Sequence, residues 1–599
     1  MNNMQFYNTY NARYIAPNEV GEKFIYSDSY GKLLQNNHSV ILGARGCGKT
    51  TLMKMLTLPA LNNWKDKRAK QILNGMEFYS VYISTDIYWD SKNQTYDKQL
   101  CKFGDLADRL SRFTVNSNVF ISFCDTLLNI MDYETSIDNN DLKEVEFCKE
   151  LIDVWQLENT IPKIEYVRES LLKRIDKTNT LIQNIIFNYE NESNLPLPDY
   201  FNLQFDSSLS FIVKVFTRVY KVKKPKKWAL CFDELEFAPE WLQVKLYGSL
   251  RSRDQNFLYK ISSSPILPKD IEKHLTSTYS GSPGNDLDLI KMWNLKSNEE
   301  FSKRLIESIL TEKFNDTSGE LFFGSNPLYI EGKESYDDDS KYMNEIRELS
   351  SKDESFRRFL ISKSIDPDDP KPTSESQKDA VFRKIKPTVF FRNHFISSNQ
   401  ETFTEMSPSL RTRKKAVNLY NGIELLCKIC EGNPRWIILL TNSIISRVET
   451  DKARDNVQYD EIMKISRRFI NSIDNIPIKL KTKDLSMKNF VDKIGNFMGE
   501  QIYGAKFNIE PRLIFTYDQK NILSDDYKKL LEKGLLQGAF ILVDSQNESF
   551  DFDIEDKRLK LSYMYYPKYR LPIRKSEPVN LSAILSENFN TNTLFDQLL

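Results

Sequence analysis

The chain has 599 residues, of which 40% are hydrophobic, 12% aromatic and 28% charged. That is enough apolar material for several buried cores, roughly four units at about 150 residues each, and it excludes both a single small binding module and global disorder. Lys and Arg total 83 and Asp and Glu total 83, so no strong net field draws the molecule to nucleic acid or an anionic membrane, and any such site has to be a local patch.

The longest apolar stretches, GAFILV at 538–543 and WIILL at 436–440, fall far short of the ~20 residues of a membrane-spanning helix. The N-terminus, MNNMQFYNTYNARY, lacks the basic region and apolar core of a secretory leader. Together these predict a cytoplasmic protein with no membrane partner. Seven cysteines, an odd number scattered from 47 to 430, argue against a disulfide framework. Cys427-Lys-Ile-Cys430 has no second CxxC to complete a zinc site, and the histidines are only His38, His274 and His394. It reads as two small apolar residues on one helical face.

In chain order, SVILGARGCGKTTLMKML at 39–56 reads as a strand, a glycine-rich turn and a helix, and FYSVYISTDIYW at 78–89 as a second strand ending near Asp86. The interval 104–220, with EVEFCKELIDVWQL and YVRESLLKRIDKTNTLIQNII, is helical and longer than one crossover requires, which predicts a helical insertion. KWALCFDELE at 227–236 has the continuous apolar character of a strand buried on both faces, and FLYKISSSP at 257–265 reads as a fourth strand. Strands separated by helices predict a parallel α/β sheet. Residues 300–410 are charged and irregular, with loops at YDDDSKY (336–342) and DPDDPKP (366–372). Residues 415–448 predict two helices broken at Gly432, and the alternating stretch AFILVDSQNESFDFDIEDKRLKLSYMYYP predicts a hairpin or wing.

Gly43-Ala44-Arg45-Gly46-Cys47-Gly48-Lys49-Thr50 fits GxxxxGK[ST] between a strand and a helix. Such a loop wraps phosphate with backbone N–H groups, Lys49 reaches the β and γ oxygens, Thr50 supplies a hydroxyl to Mg²⁺, and Thr51 follows in the first helical turn. The loop requires a metal carboxylate on a neighbouring strand, and Asp233 supplies it; Glu234 beside it stands to polarise an attacking water, which predicts ATP hydrolysis. The serines ending the fourth strand, Ser264 chief among them, are candidates to touch the γ-phosphate or that water. Arg251 and Arg253 are candidates for an arginine finger acting in trans. In Glu431-Gly432-Asn433-Pro434-Arg435, Asn433 suits an N-cap and Pro434 the first helical position. Arg435 then falls in the first turn, where it opposes the helix dipole, so contact with phosphate is the better reason for it.

The GARGCGKT loop, the CFDE strand, the KISSSP strand and the later GNPR together resemble the AAA+/STAND ATPases related to the origin-recognition-complex class, and the tail KRLKLSYMYYPKYRLPIRK resembles the winged region of large bacterial ATPases found in anti-phage defence. The resemblance implies a P-loop core at 1–103 and 221–300, and the helical insertion read from periodicity at 104–220 lies between them and matches nothing in it. It implies next a helical lid with Arg435 as second sensor at 411–475 and a winged-helix-like α+β domain at 476–599, with the charged insertion read from composition at 301–410 matching nothing in it. It further implies ATP and Mg²⁺ as ligands, slow turnover used as a switch, and an oligomer or a separate effector protein, since the sequence shows no nuclease, protease or NAD-cleaving motif. The basic clusters KVKKPKK (221–227), RTRKK (411–415) and the tail, where Tyr563, Tyr565, Tyr566 and Tyr569 interleave lysines and arginines, are candidates for DNA or RNA contact. A DNA-loading ATPase of replication or transposition, and a scaffold that binds nucleotide without turnover, are the competing readings.

Overall fold

A computed structural model describes residues 12–85, 100–138, 140–189, 195, 197–251, 254–267, 287–293, 295–314, 318–330, 332, 335–397, 415–449, 452–482, 485–517, 525–543, 554–555 and 557–586. Five strands, β1 (His38–Leu42), β2 (Phe78–Ser84), β3 (Lys227–Asp233), β4 (Phe257–Ser263) and β5 (Leu287–Lys291), form a sheet in the order β2-β3-β4-β1-β5. Every pairing is parallel. β4 is buried along its whole length and β3 along all but its first residue, as their unbroken apolar character predicts. β5 escapes sequence reading because it is an edge strand of five residues, LDLIK, only partly buried. Because β1 lies between β4 and β5, the carboxyl ends of β1, β3 and β4 open onto one crevice, the place where α/β sheets take ligands.

The loop after β1 runs into α1 (Lys49–Lys54). One face of the sheet is covered by α2 (Leu106–Tyr133), α3 (Asp141–Val154), α4 (Ile164–Asn188) and α5 (Phe205–Val219). The helices predicted at 104–220 are therefore joined to the sheet by a common core: Phe123 lies 4.6 Å from Trp228 between ring centroids, and Phe120 stacks on Trp155 at 4.7 Å. The opposite face packs on the N-terminal segment and α1 through Tyr30, Leu33 and Trp64.

A third core runs from Leu305 to Ile584. It joins α6 (Leu295–Phe314), α7 (Lys341–Lys352), α8 (Arg383–Phe395), α9 (Ile423–Ile429), α10 (Pro434–Ile445), α11 (Asp455–Asp474), α12 (Met487–Tyr503) and α13 (Asp525–Gln537). The stretch expected to be an irregular charged insertion at 301–410 is instead largely helical over its described residues, and it shares this core with the lid and the C-terminal domain. Its charges occupy the outer faces of amphipathic helices: α7, KYMNEIRELSSK, buries Tyr342, Met343, Ile346 and Leu349. Arg392 of α8 is fully buried, pairs with Asp353 and donates to the carbonyls of Ile502 at 2.7 Å and Gly504 at 3.0 Å, which ties the stretch to the C-terminal domain.

That domain follows the winged-helix order, with α12, then β6 (Ile514–Thr516), α13, β7 (Phe540–Leu542) and β8 (Arg558–Leu561), and β9 (Pro578–Asn580) completes a sheet ordered β7-β8-β6-β9. β7 and β8 pair antiparallel with Phe540 opposite Leu561, the hairpin that the alternating pattern predicts. The molecule is thus an α/β P-loop fold with a helical lid and a winged-helix-like α+β domain. Among the described residues no helix is long and apolar enough to cross a membrane. All seven cysteines are free, and Cys427 and Cys430 are buried.

Candidate active site

The phosphate loop is shaped by its glycines. Gly46 (φ +84°) and Gly48 (φ +100°) both adopt left-handed backbone. A Cβ on Gly46 would also meet the Arg435 side chain at 3.1–3.2 Å, so the lid arginine lies directly on the loop. Lys49 is buried, donates to the Gly43 carbonyl at 2.6 Å and stands 3.6 Å from a Glu236 oxygen. Ala44, Arg45, Thr50 and Thr51 line the same cleft, and Cys47 lines an apolar pocket beside it.

Asp233, at the carboxyl end of β3, is buried and held from both sides, accepting from Ser262 Oγ at 2.6 Å and from the Tyr82 hydroxyl at 3.0 Å. Burial, reinforced by the Asp233 charge, pushes the Tyr82 pKa well above the ordinary phenol range, so Tyr82 is a fixed donor. Ser262 Oγ also accepts from the Glu234 amide at 2.9 Å. Ser262 is thus the β4 serine that joins the acidic pair. Ser264, the sequence candidate, turns its hydroxyl to the carbonyl of Ile266.

Glu234 adopts left-handed backbone (φ 54°), and its carboxylate pairs with Arg13. Arg13 belongs to a strap at residues 12–15, which Lys54 of α1 grips by donating to the carbonyls of Ala12 (2.7 Å), Arg13 (3.2 Å) and Ile15 (2.8 Å). Burial lowers the Lys54 pKa against the opposing charge of Asp233. Sequence reading missed Arg13, Lys54 and Tyr82, and no local motif marks them; only the topology brings them to the phosphate loop. Glu236, two residues past Glu234, did carry a signal as the third acid of FDELE.

On the lid side, Asn433 caps α10 by accepting from the Arg435 amide at 3.1 Å, and Pro434 takes the first helical position. Asn433 also donates from Nδ2 to the Arg45 carbonyl at 3.3 Å. Burial, together with the like charge of Arg45, lowers the Arg435 pKa. Among the described residues no carboxylate pairs with Arg45 or Arg435, so the cleft holds cations that await an anion. The C-terminal domain closes the third side: the Arg45 amide donates to the Leu536 carbonyl of α13 at 2.7 Å, and Leu536 and Gln537 line the cleft. Glu431, in the turn before Asn433, pairs with Lys560 of β8 and accepts from Ser562 Oγ at 2.8 Å and the Tyr563 amide at 3.0 Å.

Beyond Gly48, Thr51 and Pro434 the cleft continues into an apolar pocket lined by Phe24, Ile25, Leu52, Met292, Phe301 and Ile438. A flat apolar group fits this end and a polyanion the other, which is the shape of a nucleoside triphosphate. The Thr50 hydroxyl and the Asp233 carboxylate are hard oxygen donors, few enough for a cation that keeps several of its waters, so the donor set fits Mg²⁺.

Other candidates lie elsewhere. Arg251 is exposed on a short 3₁₀ turn, and Arg253 lies outside the described residues, as do Asp86 and residues 411–414 of the RTRKK cluster. The interleaved tyrosines of the tail do not form a stacking surface: Tyr565, Tyr566 and Tyr569 are buried in the third core, and Tyr563 lies beneath the Lys560 ammonium. Several tail cations also turn inward, with Lys568 2.6 Å from Asp492 and Arg574 3.0 Å from the Thr388 hydroxyl, whereas Arg558 and Lys575 are exposed. The cause is the short β8 followed by tight turns, which folds the cluster onto α11 and α12 instead of projecting it.

A family model described as ORC-CDC6-like matches residues 5–581. The chain belongs to the ORC-CDC6-like family. It is an ATPase-fold protein of the ORC/Cdc6 class of AAA+ proteins, with the strand order and phosphate loop described above. Among solved structures it is similar to Cdc6p from Pyrobaculum aerophilum, at 9% identity and a TM-score of 0.25, covering 91% of this chain and 93% of that one. It is also similar to a Walker-type ATPase of Pyrococcus abyssi, at 12% identity and a TM-score of 0.32, covering 92% of this chain and 96% of that one. No curated protein sequence matches it.

Proposed function

We propose that the protein binds ATP with Mg²⁺ between its sheet, lid and C-terminal domain, hydrolyses it slowly, and uses the nucleotide state as a switch. One observation carries this reading: the cleft joins an apolar pocket to a phosphate loop beside which Arg45 and Arg435 lack carboxylate partners among the described residues. In this reading Gly43 to Thr51 wrap the phosphates, Lys49 and Arg435 neutralise the β and γ oxygens, and Thr50 and Asp233 hold Mg²⁺, which supplies charge neutralisation across the phosphates. Glu234 orients the attacking water. Slow turnover is consistent with the many contacts that would have to shift around the loop, the Arg13 to Glu234 pair among them.

The wider role is a regulatory ATPase of a prokaryotic antiviral system that acts with a separate effector or with further copies of itself; the resemblance of the motifs supports it. The test is ATP hydrolysis by the purified protein, with and without duplex or single-stranded DNA, alongside Lys49→Ala. Turnover that Lys49→Ala abolishes and DNA leaves unchanged supports the switch. Turnover that rises with DNA favours a loader, and ATP binding without turnover favours a scaffold. Loss of phage resistance in cells carrying Lys49→Ala tests the defence role.

A further inference from the structure

Among the described residues the walls of the phosphate cleft carry four cations, Arg13, Arg45, Lys49 and Arg435, and two carboxylates, Glu234 and Glu236. Two of the cations rest on the two carboxylates: Lys49 stands 3.6 Å from Glu236, and Arg13 pairs with Glu234. Arg13 alone of the four comes from neither the loop nor the lid but from the strap at residues 12–15. The backbone of that strap is fixed to the helix that follows the loop. Lys54 is 6% exposed and directs its three N–H donors to the carbonyls of Ala12, Arg13 and Ile15. A buried ammonium satisfied in this way fixes where those carbonyls lie, and with them the root of the Arg13 side chain. Lys54 and Lys49 belong to one helix, α1, so the strap and the phosphate loop keep their places together and the Arg13 side chain is the part that can change its anion.

We propose that Arg13 is a catalytic residue acting within its own chain: it leaves Glu234 for the γ-phosphate oxygens when Mg·ATP enters, and the same movement frees Glu234 to orient the attacking water. The inference rests on the ATPase reading above. A guanidinium binds phosphate oxygens bidentately, and the terminal phosphate of ATP carries more charge than one carboxylate, so the exchange runs toward the nucleotide. ADP lacks that phosphate. It draws Lys49 to its β oxygens and leaves Arg13 on Glu234, so the strap arginine distinguishes the two nucleotides. In the reaction the water oxygen bonds to the γ-phosphorus as the bond from that phosphorus to the β–γ bridging oxygen breaks. The electron pair of the broken bond leaves with ADP, and the water proton passes to Glu234 and then to solvent as phosphate departs. Arg13 transfers no proton. It stabilises the charge spread over the equatorial oxygens of the group in transfer, as an arginine supplied in cis does. A chain so equipped completes its site without an arginine from a neighbour.

The test uses the full chain, with Mg·ATP for single-turnover phosphate release and ATPγS and ADP for calorimetry. Arg13→Ala is expected to lower the hydrolysis rate by about 1,000-fold. Arg13→Lys should recover only part of the loss, because it keeps the charge and lacks the planar fork. The preference for ATPγS over ADP should fall by about tenfold in Arg13→Ala, the worth of one hydrogen-bonded charge contact, with ADP affinity unchanged. Mixing Arg13→Ala chains with Lys49→Ala chains is expected to restore nothing; restored turnover places Arg13 in a neighbour's site and overturns the proposal. Faster hydrolysis in Arg13→Ala also overturns it, since Arg13 is then only a latch on Glu234. Unchanged hydrolysis with an unchanged ATPγS preference overturns the proposal and leaves the ATPase reading standing. Absence of turnover in wild type overturns the ATPase reading and the catalytic role together.

Discussion

The pair Glu431–Lys560 joins the lid to the C-terminal domain and permits a graded test of the buried electrostatics. The two side chains are 6% and 3% exposed, so each charge depends on the other. Burial acts to lower the Lys560 pKa, and Glu431 with Tyr563 outweighs it, leaving the ammonium above the ordinary lysine range. Removing one member of a buried pair costs about 3–5 kcal/mol, because the other charge is left uncompensated. The two ends are unequal. In Lys560→Met, Glu431 still accepts from Ser562 and the Tyr563 amide, which places the loss near 3 kcal/mol. In Glu431→Leu, Lys560 keeps only the Tyr563 ring below it, and two buried donors lose their acceptor at about 1–3 kcal/mol each. That loss is therefore at 5 kcal/mol or above. Urea unfolding followed by the fluorescence of Trp436, which packs on Phe469 in the same core, measures both. The double variant is expected to cost less than the two single losses summed. Equal losses, a larger one for Lys560→Met, or both under 1 kcal/mol would refute the argument.

Gly46→Ala is expected to weaken nucleotide binding by calorimetry while the protein stays folded, because its φ of +84° disfavours any side chain and its Cβ would crowd Arg435 at 3.1–3.2 Å. Arg13→Ala releases Glu234 and loosens the strap beside the phosphate cleft, so stopped-flow binding of a fluorescent ATP analogue should be several-fold faster; an unchanged rate would show that the strap is no barrier. Lys260 is fully buried under the sheet, donates to the carbonyls of Gln35 and Asn37 at 3.1 Å each, and has a pKa lowered by burial from 10.5 to about 8. The unfolded chain holds that proton to higher pH, so stability should rise with pH between about 8 and 10.5, by roughly 3 kcal/mol in all. Lys260→Met should remove that slope in denaturant titrations.

Motifs whose chemistry depends on adjacent residues were legible in the sequence. The phosphate loop, the apolar β3 ending in Asp233 and the capped turn of Asn433, Pro434 and Arg435 each need only neighbours along the chain, and the geometry follows from glycine, proline and cap chemistry. Contacts made by topology were not legible. Arg13 meets Glu234 across 221 residues and Tyr82 meets Asp233 across 151, and nothing local to either position signals the partner. The tail misleads in the opposite sense, because tyrosines alternating with lysines have the same pattern whether they face solvent or a core. Residues 301–397 read as irregular because charge dominates their composition, whereas the spacing of their few apolar residues decides their burial.

Arg45 is where the three units meet. Its amide donates to Leu536 of the C-terminal domain, and its carbonyl accepts from Asn433 of the lid. Amides of a phosphate loop are the groups a triphosphate recruits, so an Arg45 amide turned to phosphate leaves the Leu536 carbonyl without its donor. The C-terminal domain then loses that tie to the loop but keeps Glu431–Lys560 to the lid, with which it shares a continuous core. Lid and C-terminal domain should therefore shift together against the sheet when nucleotide binds. Spin labels on α5 and α12 should change their separation on addition of ATP, whereas labels on α7 and α12 should not. A change within the second pair would mean that the third core yields before the junction does.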